Sequence, residues 1–219
     1  MQAPLQTVEV ETGPKPAGCV IWLHGLGADG HDFEPIAADL AGRRALRFVF
    51  PHAPMRPVTI NSGAHMRAWY DILGLDRDAV QDEGGVRTSD AAIRALIERE
   101  AERGISAERI VLGGFSQGGA MSLFTGVRYP HRLAGIIGLS CYLLLSSKLT
   151  AERNAANGDT PVLLAHGACD PMIDVRFGED SRDLLEAAGY GVEWHRYDMG
   201  HELCSDEVAA IAAFLQRVV

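Results

Sequence analysis

Arg109-Ile110-Val111-Leu112-Gly113-Gly114-Phe115-Ser116-Gln117-Gly118-Gly119 runs from a strand into a helix through one serine set among glycines. Arg109 to Leu112 have strand character, Gly114 to Gly118 spell G-x-S-x-G, and the run from Ala120 to Arg128 is compatible with a helix. A turn this sharp presses the residues two before and two after the serine against neighbouring backbone, where only small side chains fit. Gly114 and Gly118 meet that demand. A helix starting at Gln117 aims its free N–H groups and the positive end of its dipole at the space beside Ser116. The alternative, a glycine-rich helix start without chemical meaning, is disfavoured by the strand ahead of it.

Outward from this elbow, short aliphatic runs alternate with longer amphipathic stretches, the pattern of βαβ units on a mostly parallel sheet. Strands are expected at 6–11, 18–23, 45–50, 109–113, 133–139, 161–166 and 191–197. Runs such as Cys19-Val20-Ile21-Trp22-Leu23 are apolar nearly throughout, as strands covered on both faces must be. Helices are expected at 31–41, 86–103, 117–128, 178–188 and 204–218. The reading is one α/β domain over residues 1–219, about seven strands with helices on both faces. Between 51 and 84, Pro51, Pro54, Pro57, Gly63, Gly74, Gly84 and Gly85 interrupt any regular pattern, and so long a loop is a candidate wall for a substrate site.

A serine hydroxyl needs a histidine to take its proton and a carboxylate to hold that histidine in the right tautomer. In the α/β-hydrolase order the acid and then the histidine follow the serine, each on a loop after a strand. Asp170 stands just past the 161–166 strand, and His201 just past the 191–197 strand. Asp174 is the nearest rival acid, but Asp170 follows the strand end directly, and Asp174 reads better as a loop or helix-start residue. His195 falls inside a strand, and His166 precedes the acid. The segment Leu23-His24-Gly25-Leu26-Gly27-Ala28-Asp29-Gly30 reads as an oxyanion loop, with the N–H of Leu26 pairing with that of Gln117. A phosphate-binding loop is the alternative, but Gly25, Gly27 and Gly30 match G-x-G-x-x-G only in part, and a P-loop lysine is missing.

The 219 residues carry a formal charge of −9 with 47% hydrophobic and 22% charged residues, an ordinary globular composition that disfavours nucleic acid and anionic lipid as partners. No apolar run approaches the ~20 residues of a membrane helix, and the N-terminus lacks signal-peptide character, so stable membrane insertion is not expected and the cytoplasm is the default. Cys19, Cys141, Cys169 and Cys204 form no CxxC pair and lack histidines at zinc spacing, so no metal site is indicated and reduced thiols are expected.

Taken together, HGLGADG from His24, FPHAP from Phe50, MRAWYDI from Met66, GFSQGGA from Gly114, HGxxDP from His166 and MGH ending at His201 resemble the carboxylesterase and acyl-protein thioesterase family, also called phospholipase/carboxylesterase, particularly its bacterial members. The resemblance covers nearly the whole chain. It departs at Asp174 and in the run after Cys141, where proline is common. It implies an α/β-hydrolase fold without a large cap, a triad of Ser116, Asp170 and His201, an oxyanion hole of the Leu26 and Gln117 amides, and no cofactor. It also implies small carboxylic esters or acyl thioesters as substrates, with lysophospholipids or acylated proteins as alternatives, and homodimers occur in the family. Leu26, Met66, Trp69, Leu73, Leu75 and Met172 are candidates to line an acyl groove, against the alternative of ordinary core packing. Other readings on the same scaffold are a peptidase, a lipase or a catalytically silent binding module.

Overall fold

The computed structural model describes residues 4–74 and 79–219. Its main sheet has seven strands: β1 (Thr7–Glu11), β2 (Gly18–Leu23), β3 (Leu46–Pro51), β6 (Ile110–Phe115), β7 (Gly135–Leu139), β8 (Val162–Gly167) and β9 (Val192–Tyr197). Their order is β1-β3-β2-β6-β7-β8-β9, with β1 antiparallel to β3 and every other pair parallel. The parallel strands alternate between two cores, so burial on both faces accounts for their unbroken apolar runs. In β2, Cys19, Ile21 and Leu23 face one core while Val20 and Trp22 face the other. The first core is closed by α2 (Glu83–Glu102), α3 (Gln117–Gly126) and α5 (Val175–Ala187), and the second by α1 (Ala37–Ala41) and α6 (Ser205–Val218). A further short helix, α4 (Leu149–Glu152), follows β7.

The expected strands all form, and the differences lie in the connections. The stretch between 51 and 84 contains a hairpin that its sequence hides: β4 (Met55–Val58) pairs antiparallel with β5 (Ala64–Arg67). Strands of four residues carry too little alternation to be read, and Pro57 points away from a strand unless the strand is an edge, as this one is. The 31–41 helix shrinks to a 3₁₀ turn, Glu34–Ile36, followed by α1, because Pro35 fixes the entry and Gly42 ends the run at φ 58°. Both α2 and α5 start three residues early. Asp82 accepts from Gly85 N and Asp174 from Arg176 N, so each aspartate caps a helix and satisfies a first-turn N–H. Leu145, in the run after Cys141, is left-handed at φ 47°, a conformation closed to proline, and its N–H donates to Gln81 Oε1 at 2.7 Å.

Candidate active site

The carboxyl ends of β6, β7, β8 and β9 and the loop after β2 converge on one edge of the sheet, where parallel α/β sheets place their ligands. Ser116 caps α3 with φ 55° and ψ −121°, a strained backbone held by its own N–H on Leu139 O at 2.8 Å. The flanking glycines are required by distance. A Cβ on Gly118 would stand 2.1 Å from Leu23 O, and one on Gly114 would stand 2.6 Å from both Leu23 O and the Gly118 carbonyl carbon.

His201 lies over the serine, its Nε2 3.0 Å from Ser116 Oγ and its Nδ1 2.7 Å from Asp170 Oδ2. A carboxylate can only accept, so Nδ1 carries the proton and Nε2 is free to accept from the serine hydroxyl. The Asp170 side chain is fully buried, and its Oδ1 accepts from Met172 N at 2.8 Å and Ile173 N at 2.9 Å. The Phe115 ring packs 4.7 Å from the His201 ring. Asp174 takes no part: it caps α5 and pairs with Arg176, which together hold its carboxyl at about 2. His195 pairs with Glu193 on β9, away from the serine.

The loop after β2 is built from buried hydrogen bonds. His24 Nε2 accepts from Ala53 N at 3.0 Å, so its Nδ1–H donates to Gly25 O at 2.7 Å. Burial pushes this imidazole down to about 4 and keeps it neutral, the form both bonds need. Gly25 packs close to Ser116, where an added Cβ would lie 3.4 Å from the serine Cβ, and Leu26 lines the cavity over it. Gln117 is the first residue of α3, so its N–H has no partner within the helix. Its side chain clamps the 69–70 backbone, accepting from Trp69 N and donating to Tyr70 O, each at 2.7 Å.

Two cavities meet at this edge. One of about 240 Å³ holds Ser116, His201, Leu26 and Phe115. The other, of about 520 Å³, extends between Leu73, Val80, Phe177 and Leu184, and Tyr70, Ile72, Tyr142, Met172 and Ile173 wall both. Leu73 and Met172 lie at the rim of the larger cavity, 45% and 60% exposed. Trp69 corrects the groove reading: it is 0% exposed, and its Nε1–H donates to His24 O at 2.9 Å, so it braces the loop after β2 from within the core. Met66 borders neither cavity; its sulfur instead accepts from Asn61 Nδ2. Leu75 lies outside the described residues. The sequence reading missed Tyr142, Ile173 and Phe177. Tyr142 had a signal, since it lies just past the end of β7 at the catalytic edge, whereas Phe177 is one helix residue among many. Among the described residues, no three His, Cys, Asp or Glu side chains are grouped to hold a metal ion.

Residues 5–219 match the family described as phospholipase/carboxylesterase. The chain belongs to this family. An acyl-protein thioesterase 1 of Neurospora crassa is 44% identical over 207 residues, covering 90% of this chain and 84% of that protein. One of Yarrowia lipolytica is 37% identical over 98% of this chain and 97% of its own length. The crystal structure of Zea mays acyl-protein thioesterase 2 superposes with a TM-score of 0.88 at 28% identity, covering 97% of this chain and 98% of that one. These relatives are fungal and plant proteins, and they single out no bacterial branch. The family member described here is a serine hydrolase of the carboxylic-ester type with the α/β-hydrolase fold.

Proposed function

We propose that Ser116 is the nucleophile, His201 the general base and Asp170 the acid that orients it, and that the enzyme cleaves carboxylic esters and acyl thioesters through an acyl-enzyme. The observation that carries this reading is the unbroken relay from Ser116 Oγ through His201 to Asp170, at 3.0 and 2.7 Å, opening onto an apolar groove. His201 takes the serine proton as Oγ attacks the carbonyl, the oxyanion settles between the Leu26 and Gln117 amides, and the leaving alcohol or thiol takes the proton back from His201. Water then repeats the path to release the acid. Asp170 holds the imidazole in place throughout.

The acyl chain runs from the 240 Å³ cavity past Tyr142 into the 520 Å³ cavity, a combined space in the range that holds extended ligands. That extension, and the acyl-protein thioesterases among the relatives, favour a longer acyl thioester over the smallest esters. A silent binding module is disfavoured, because the relay is complete. Among the described residues no helix is long and apolar enough to cross a membrane. The four free cysteines favour a reducing compartment such as the cytoplasm, and the one seven-stranded sheet shared by both cores favours a single catalytic domain.

The test is hydrolysis of p-nitrophenyl esters from acetyl to palmitoyl, and of the matching acyl-coenzyme A thioesters, by wild type and by Ser116→Ala checked for fold by circular dichroism. Turnover that rises with chain length and vanishes in Ser116→Ala is the expected result. Equal inactivity of both proteins toward every substrate would remove the esterase reading.

A further inference from the structure

His166 sits at the end of β8, 1% exposed, and the reaction path above makes no use of it. Its Nε2 lies 2.8 Å from Ile173 O and 3.5 Å from Asp170 Oδ2, the same carboxylate oxygen that His201 binds. The carbonyl can only accept, so Nε2 carries the proton. Nδ1 is then a bare lone pair, buried and without a hydrogen-bond partner among the described residues. It faces the Gly178 backbone so closely that a Cβ there would stand 2.6 Å away, with the Trp194 ring alongside. A proton on Nδ1 would find no acceptor, and burial holds this imidazole below the ordinary histidine range.

Ile173 is therefore held through both of its backbone polar groups, which lie in the two peptide planes flanking its Cα. Its N–H donates to Asp170 Oδ1 at 2.9 Å and its C=O accepts from His166. That N–H and the neighbouring Met172 N–H make the cradle that fixes the rotation of the Asp170 carboxylate. The same strand end is locked to the loop bearing His201: Cys169 N donates to Met199 O at 3.0 Å, and a Cβ on Gly167 would meet Gly200 O at 2.2 Å. With the two loops fixed to each other, a shift of the Ile173 peptide passes to Asp170 without a compensating shift of His201.

We propose that His166 is a positioning residue for the reaction: its Nε2–H pins the Ile173 carbonyl, and through Ile173 aims Asp170 Oδ2 at His201 Nδ1. Neutrality is part of the role, because a charged imidazole 3.5 Å from Asp170 would compete with His201 for the carboxylate. The inference rests on the triad reading of Asp170 and His201.

The test compares His166→Phe, which keeps volume and removes the donor, with His166→Gln, whose amide nitrogen can take the place of Nε2. For His166→Phe, kcat is expected to fall about 10- to 100-fold, the scale of a small misplacement of a reacting group. KM should change less than kcat, since His166 itself lines neither cavity and only the Ile173 wall shifts with its peptide. The acid limb of the kcat/KM profile, which reports the base, should move to lower pH as His201 loses its aligned carboxylate. His166→Gln should recover most of kcat and return the limb. A purely structural role would lower the melting temperature and leave the limb where it is, and that result overturns the proposal, as does a wild-type kcat in His166→Phe. If His166→Phe does not fold, His166→Asn against His166→Gln decides: asparagine cannot reach Ile173 O, so equal kcat and equal limbs in the two overturn it. Asp170→Asn measured in parallel separates the two levels. If it is as active as wild type, the triad reading fails and the proposal with it; if it is impaired while His166→Phe is normal, only the role of His166 fails.

Discussion

Glu207, in the first turn of α6, is 0% exposed, and neither carboxyl oxygen has a hydrogen-bond partner among the described residues. Burial pushes its pKa up to about 8 from an ordinary 4.5. The folded chain therefore keeps a proton at this site through the range in which the unfolded chain has lost it. Between about pH 4.5 and 8 the folded state binds more protons, so stability is greatest at the acid end of that window and declines as pH rises through it. Each pH unit removes up to about 1.4 kcal/mol, so about 3 kcal/mol separates pH 5.5 from pH 8 at this one residue. Glu207→Gln keeps the shape and removes the titration. Urea denaturation of wild type and Glu207→Gln at several pH values between 5 and 8 isolates the effect, because every other ionisable group is shared. The expected result is a difference in unfolding free energy that moves in favour of the glutamine variant by about 3 kcal/mol as pH rises. Two parallel curves would refute the claim that this carboxyl is neutral in the folded protein.

Other outcomes follow from the same geometry. Ser116→Ala should lower kcat about a millionfold and Asp170→Asn by about ten-thousandfold, so an acid variant as inactive as the serine variant, yet folded, would contradict the assigned roles. Gly118→Ala forces a Cβ to 2.1 Å from Leu23 O and should cost about 3 kcal/mol, the upper end of overpacking, with loss of activity visible beside a thermal melt. Tyr142→Ala, which opens the passage between the two cavities, should raise kcat/KM for palmitoyl relative to butyryl esters; an unchanged ratio would mean that the chain takes another route. Glu100 is buried against Arg47, Arg99 and Arg103, and Glu100→Gln should destabilise the fold by about 3 kcal/mol in a urea titration, at the low end for a broken buried pair because two of the arginines reach solvent.

The sheet was legible in the sequence because buried parallel strands leave continuous apolar runs, and the elbow because its glycines are forced by contacts of 2.1 to 2.6 Å. Ser116, Asp170 and His201, which the fold brings into one hydrogen-bonded row, were suggested by the sequence because each follows a strand in a fixed chain order. The rest depended on contacts between segments far apart in the chain. Trp69 looked like a groove residue by composition, and only its bond to the His24 carbonyl shows that it braces a loop from within. The hairpin of β4 and β5 is too short to show a period. The early starts of α2 and α5 come from two aspartate caps, and each of these lies before glycine or apolar residues that do not read as helix on their own. His166 was set aside by chain order alone, and its bond to Ile173 O is a product of the folded turn.

The division of labour at the sheet edge bears on how such an enzyme can change over time. On the proposed reading, the reacting groups are the side chains of Ser116, His201 and Asp170 past strand ends and two main-chain amides that only a proline substitution removes. The groove is walled largely by residues outside the sheet, among them Leu73, Val80, Tyr142, Met172 and Leu184. Surface connections tolerate replacement and insertion far better than strand ends do. Selection can therefore retune which acyl chain is accepted while the reacting groups stay under constraint, so a lineage built on this chain should diversify in substrate long before it loses its chemistry.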